Sequence, residues 1–255
     1  MVLERTQHGK VAVLALNRPE AANSLNPELM KAITSTLREI EQDLDTQVVI
    51  LTAAGEKIFC AGMDLKGFAE SGSGAGGASD GDGPESYKMV DGFTKPIIAA
   101  VNGAAVGGGF ELALSCDMIV AADTARFGLP EVKRGLFAAG GGTMLGTMIP
   151  LPLAMEAALT GDLYPAAKVA EWGLVNHVVP FDQLIPSALE LAEKIAANAP
   201  LGLAITKELI RRSVTNDPKL GRATPEESAK VFGSDDAKEG ATAFIEKRPA
   251  NWQGR

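Results

Sequence analysis

Ile97-Ile98-Ala99-Ala100-Val101-Asn102-Gly103-Ala104-Ala105-Val106-Gly107-Gly108-Gly109-Phe110-Glu111-Leu112-Ala113-Leu114-Ser115-Cys116-Asp117-Met118-Ile119-Val120-Ala121 decides the fold class. Ile97 to Val101 is a short apolar run rich in β-branched residues, which reads as a buried strand, and Met118 to Ala121 reads as another. Glycines separate the first run from a helical stretch, Phe110 to Cys116. A strand, a helical crossover and a second strand favour parallel pairing. Upstream, Val11 to Leu16 and Val48 to Leu51 are further buried strands. Between them Asn26-Pro27 marks a helix start, with a side-chain cap and a fixed first φ. Met30, Ile33, Leu37, Ile40 and Leu44 then recur at helical spacing. The expectation is an α/β protein.

Downstream of Gly142 helical signals take over, broken by Pro150, Pro152, Gly161, Pro165 and Gly173, with Val175 to Val179 the exception. Leu184, Ala188, Leu191 and Ile195 line one face of a helix that stops before Pro200, and further helices follow to about Lys247. A core over residues 1–195 and a helical region over 196–255 are expected. The apolar stripes of that tail need a partner surface, and a neighbouring subunit is one candidate. Ser71 to Gly83 holds six glycines among Ser and Asp. It reads as a loop, either a tolerated insertion or a lid.

Composition narrows the function classes. Apolar residues make up 46% and charged residues 22% of the 255, as in ordinary globular proteins. No apolar run approaches the roughly 20 residues that span a bilayer, and Met1 to Lys10 carries charges where a signal peptide is hydrophobic, so a cytoplasmic address is expected. The formal charge of −8 argues against non-specific nucleic-acid binding. Cys60 and Cys116 form no short pair, and read as buried apolar residues rather than a disulfide or zinc framework. The histidines are His8 and His177, and no serine sits in a nucleophile-elbow context.

The run Gly103 to Glu111 does not follow Gly-x-Gly-x-x-Gly, which excludes the dinucleotide fingerprint. Glycines at a strand-to-helix turn either pack closely or bring backbone N–H groups up to a ligand, where a helix start favours a negative oxygen. Phe59-Cys60-Ala61-Gly62-Met63-Asp64-Leu65-Lys66 follows another strand. By itself it reads as a turn, with Asp64 capping a short helix from Leu65. Together, two such loops can each offer one N–H to a single oxygen. Glu111, in a first helical turn, and Glu131, after Pro130, lie beside Gly or Pro and apolar neighbours, a setting that desolvates carboxylates. A solvated surface position is the alternative for each.

These segments together resemble the crotonase superfamily, the enoyl-CoA hydratases and isomerases. The resemblance runs through Leu16-Asn17-Arg18-Pro19 with Asn23 and Leu25, Phe59 to Lys66, Ala99 to Asp117, Phe127 to Gly135, Gly161-Asp162, and Asp236 to Arg248. It implies a core of repeated strand-strand-helix units in a superhelix, a C-terminal helical region for trimerisation, and a homotrimer or dimer of trimers. It implies that Met63 and Gly108 donate backbone N–H groups to a thioester oxygen, and that Glu111 and Glu131 are the catalytic acids. Ala21, Ala22, Ala61, Asp64, Leu65, Lys66 and Lys247 are the implied contacts to an acyl-CoA thioester substrate.

The implied reaction is syn addition of water to a trans-2-enoyl-CoA, with no metal or redox cofactor. The alternatives are a double-bond isomerase working through Glu131 and a non-catalytic RNA-binding relative, the latter disfavoured by the acidic balance. Glu20 stands where many hydratases place a lysine. Ala138-Ala139-Gly140-Gly141-Gly142 stands where many have Pro-Gly-Ala-Gly-Gly.

Overall fold

A computed structural model describes residues 1–64, 90, 92–134, 136–138, 141–214 and 234–255. The glycine-rich stretch Ser71 to Gly83 lies outside these residues. Strands β1 (Leu3–His8), β2 (Val11–Leu16) and β3 (Val48–Ala53) are followed by β4 (Ile58–Cys60), β5 (Ile97–Val101), β6 (Ala104–Val106), β7 (Met118–Ala122), β8 (Arg126–Gly128), β9 (Tyr164–Pro165) and β10 (His177–Val179). Helix α1 spans Pro27–Gln42 and α2 Gly108–Ser115; α3 (Leu145–Met148), α4 (Leu151–Thr160) and α5 (Ala166–Glu171) precede α6 (Leu184–Ala196), α7 (Pro200–Ser213) and α8 (Asp235–Glu246).

Two sheets result. The larger runs β1-β2-β3-β5-β7-β10, all parallel except the edge strand β1. Alternation along its strands sends side chains to two cores. Val11, Val13, Val48, Ile50, Ile98 and Val120 face α6, which lays down Leu184, Ala188, Ala192 and Ala196. The stripe is thus narrower and richer in alanine than the Leu191 and Ile195 positions suggest, and those two sit at its margin. Leu14, Leu16, Val49 and Leu51 face the other core with Leu29, Ile33, Leu37 and Ile40 of α1. Each such side chain contributes roughly 1.5–3 kcal/mol when fully buried.

Helix α1 begins as its sequence demands, with the Asn26 side chain accepting from the Leu29 N–H at 2.9 Å. It ends earlier than the apolar spacing suggests. The last helical residue is Gln42, and Leu44 is 85% exposed. The Lys95 ammonium donates to the carbonyls of Ile40, Asp43 and Thr46, closing the helix end against the strand that follows.

Helix α7 is fastened by charge. Asp117, just before β7, accepts from the Ile97 N–H at 2.8 Å, pairs with Lys207 at 2.8 Å and takes two bonds from Arg211. Asp117→Ala removes the carboxylate that neutralises two neighbouring cations, which keep neutral carbonyl contacts such as Lys207 to Lys95 and Arg211 to Ser115. Urea unfolding is expected to show a loss of about 3–5 kcal/mol, the range for breaking one side of a buried ion pair.

Candidate active site

The smaller sheet, β4-β6-β8-β9, positions the site. Its first three strands are parallel, so Cys60, Val106 and Gly128 end side by side and the loops that leave them converge at one edge. Crevices beyond the carboxyl ends of parallel strands are where open α/β sheets hold ligands. The Gly107 N–H donates to the Gly128 carbonyl at 2.8 Å, joining two of these exits.

Gly62 lies against the start of α2. A Cβ added there would stand 2.8 Å from the Val106 oxygen and 2.9 Å from the Gly108 nitrogen, and φ at Gly62 is +87°. Only glycine allows both the approach and the conformation. On the other side of the same loop, the Leu25 N–H donates to the Gly62 carbonyl and the Asp64 N–H to the Leu25 carbonyl, a parallel bridge centred on Met63. In such a bridge the N–H of the central residue points away from the partner strand, here away from Leu25. Met63 and Gly108 are therefore brought together as main-chain neighbours. Gly109 seals the arrangement, because a Cβ there would lie 2.0 Å from the Cys60 oxygen.

A buried asparagine anchors this edge. Asn23, at φ +51°, accepts from the Arg18 N–H at 2.9 Å and donates to the carbonyls of Ala54 and Ile58 at 3.2 and 3.0 Å. Ala22 is also left-handed, at φ +53°, and accepts from the Ala61 N–H at 3.1 Å. Ala21, Ala22, Ala61 and Asp64 consequently share one strip. Asp64 is held there by Arg18, whose guanidinium lies 3.4 Å from the carboxylate and donates to the Ser24 carbonyl at 2.6 Å. Leu65 and Lys66, and the helix expected from Leu65, lie outside the described residues. Lys247 sits at the left-handed residue that follows α8, exposed and without an ion-pair partner among the described residues. Glu20 is exposed on the short 3-10 turn Pro19–Ala21.

The two carboxylates differ. Glu111 is buried in the first turn of α2, and its Oε1 accepts from the Gly142 N–H at 2.7 Å. Glu131 opens the 3-10 turn Pro130–Arg134, and its Oε1 faces the Cα of Gly107, 2.9 Å from where a Cβ would be. Its Oε2 is buried and has no hydrogen-bond partner among the described residues. Desolvation pushes the Glu131 carboxyl above its ordinary range, opposed by its own backbone N–H and by Arg134. Burial, rather than a neighbouring acid, is the leading cause. Sequence reasoning did not find Gly142 or the Arg18–Asp64 pair, although glycine repetition at 140–142 marked the first.

The Gly62–Met63 loop packed against the start of α2, a buried carboxylate held by an amide and a second carboxylate with a raised pKa lie at one sheet edge, a set of groups of the kind that can stabilise a negative oxygen and move protons. An enoyl-CoA hydratase/isomerase family profile matches residues 6–255. The chain is 39% identical over 250 residues to a short-chain-enoyl-CoA hydratase of Clostridium acetobutylicum, covering 97% of this chain and 95% of that protein. It is also 39% identical to a carnitinyl-CoA dehydratase of Proteus mirabilis, covering 99% of this chain and 98% of the other. A crystal structure of an enoyl-CoA hydratase from Mycobacterium tuberculosis superposes with a TM-score of 0.90 at 42% identity, over 100% of this chain and 99% of that one. The chain belongs to the enoyl-CoA hydratase/isomerase family and has the crotonase fold.

Proposed function

We propose that the protein adds water across the double bond of trans-2-enoyl-CoA thioesters, giving 3-hydroxyacyl-CoA, as in fatty-acid β-oxidation. The observation that carries this reading is the approach of the Gly62–Met63 loop to the Gly108 nitrogen, with the Glu131 carboxylate against Gly107. The Met63 and Gly108 N–H groups hold the thioester oxygen, and the enolate that forms is stabilised more than the ground state. Glu111 takes a proton from water as its oxygen bonds to the β carbon. The π electrons move toward the thioester, and Glu131 delivers its proton to the α carbon. Its raised pKa favours the protonated form this step uses.

Ala21, Ala22, Ala61 and Asp64, with Leu65, Lys66 and Lys247, are the proposed coenzyme A strip, the last reaching a phosphate across a subunit boundary. No cofactor takes part, since the coenzyme arrives with the substrate. An apolar row on α3 and α4 and the turn before them, Met144, Met148, Leu151, Met155 and Leu159, is exposed. Covering it with a second copy supports a homotrimer or dimer of trimers that also uses the C-terminal helical region. Buried Cys60 and Cys116 thiols fit a cytoplasmic setting, and no described helix is long and apolar enough to cross a membrane.

Purified protein mixed with a panel of trans-2-enoyl-CoA thioesters is expected to bleach the conjugated thioester absorbance, with masses increased by one water. The raised Glu131 carboxyl also favours a second reading, isomerisation of a 3-enoyl-CoA through that residue alone. Conversion of 3-enoyl thioesters with no mass change, and no bleaching of 2-enoyl thioesters, would select it instead.

A further inference from the structure

We infer that the backbone amide of Gly142 is a positioning group for hydration: it fixes the Glu111 carboxylate so that the water-activating step, but not proton exchange at the α carbon, depends on it. This inference rests on the hydratase reading above. Glu111 leaves α2 in its first turn, and three rotatable bonds separate its carboxylate from the helix. Burial alone does not orient that carboxylate, whereas a bond to one oxygen restricts it. The Gly142 N–H lies 2.7 Å from Oε1 and holds that oxygen, which limits where Oε2 can point.

The turn that presents this amide is built tightly. Gly141 is left-handed at φ +119°, which aims the following N–H inward. A Cβ on Gly142 would stand 2.6 Å from the Ala138 Cβ, 3.0 Å from Leu129 Cδ1 and 3.1 Å from Glu111 Oε1. The amide is therefore held between the core and the carboxylate, with no room for a side chain. Glu131 reaches the site from a different turn and rests on Gly107, so displacement of the Gly142 amide leaves its own support in place. A packing glycine with no part in the chemistry accounts for the crowding, but does not separate the two proton transfers.

The separation is what the experiment reads. Gly142→Ala is expected to lower kcat for hydration about 100-fold, the scale of a misplacement of one ångström, with KM for the enoyl thioester held within about threefold. Exchange of the α hydrogens of a saturated acyl-CoA with deuterium oxide, which calls on Glu131 and the thioester oxygen site but on no added water, is expected to continue at the unsubstituted protein's rate. Because the contact with Ala138 threatens folding, the pair Ala138→Gly with Gly142→Ala removes the closest clash and keeps the approach to Glu111. A smaller split in the same direction is expected in that variant, because the contacts that remain, 3.0 Å to Leu129 Cδ1 and 3.1 Å to Glu111 Oε1, still press on the carboxylate. Hydration at the original rate in the double variant would overturn the inference, and so would hydration and exchange falling in step. If the unsubstituted protein exchanges α hydrogens but hydrates no enoyl thioester, the hydratase reading itself fails, and this inference with it.

Discussion

Replacing Glu131 by Gln is expected to lower the hydration kcat by about 10²- to 10⁴-fold, the usual worth of a positioned proton donor. Binding of the coenzyme A thioester should remain, because the amide has the shape of the neutral acid it replaces and the proposed coenzyme strip lies on other loops. Titration of the variant with a saturated acyl-CoA, followed by calorimetry, checks the binding, and absorbance assays check the rate. Full turnover in the variant would remove Glu131 from its role.

Stability supplies an independent reading of the same side chain. The folded carboxyl is raised above its ordinary value of 4.5, chiefly by burial. Between that value and the raised one the native state therefore binds more protons than the unfolded chain, and stability falls as pH rises through the window. Glutamine does not ionise, so the variant should lose less stability than the parent on the alkaline side.

Gly62→Ala should disable the other half of the site without touching an acid. At φ +87° a Cβ costs about 1–2 kcal/mol in left-handed backbone, and it would also stand 2.8 Å from the Val106 oxygen and 2.9 Å from the Gly108 nitrogen. Both neighbours are main chain and cannot swing aside, so the loop must retreat and the two amides separate. Loss of one donor to a developing oxyanion is worth about 10²–10³ in kcat. Measured kcat for hydration should fall by that factor while the protein still unfolds cooperatively. An active Gly62→Ala enzyme would mean that the thioester oxygen sits elsewhere.

The large sheet was legible in the sequence because its strands are buried on both faces and read as continuous apolar runs, Val11 to Leu16 and Ile97 to Val101 among them. The small sheet was not. Its strands are two or three residues long, and Ala104–Val106 looked like part of a glycine loop because so short a run carries no period. Yet that sheet lines up the loops of the site.

The N-terminal strand was missed for another reason. Leu3–His8 shows one apolar residue and five exposed ones, since it pairs only along an edge. The asparagine cap of α1 was legible because it is chemistry local to three residues. The end of α1 was not, because Lys95 closes it from more than fifty positions away. Likewise Glu111 and Glu131 stood out beside their Gly and Pro neighbours, whereas the amide holding Glu111 comes from residue 142 and no local pattern announces the contact.

The hub at Asn23 carries a consequence for how the protein matures. Its single side chain ties residue 18 to residues 54 and 58, and the cleft they frame is completed by segments at 107, 131 and 142. Contacts of such sequence separation close late, after local helices and neighbouring strands have formed. A chain that has not yet brought these distant segments together therefore lacks the frame of the cleft, however much local structure it has formed.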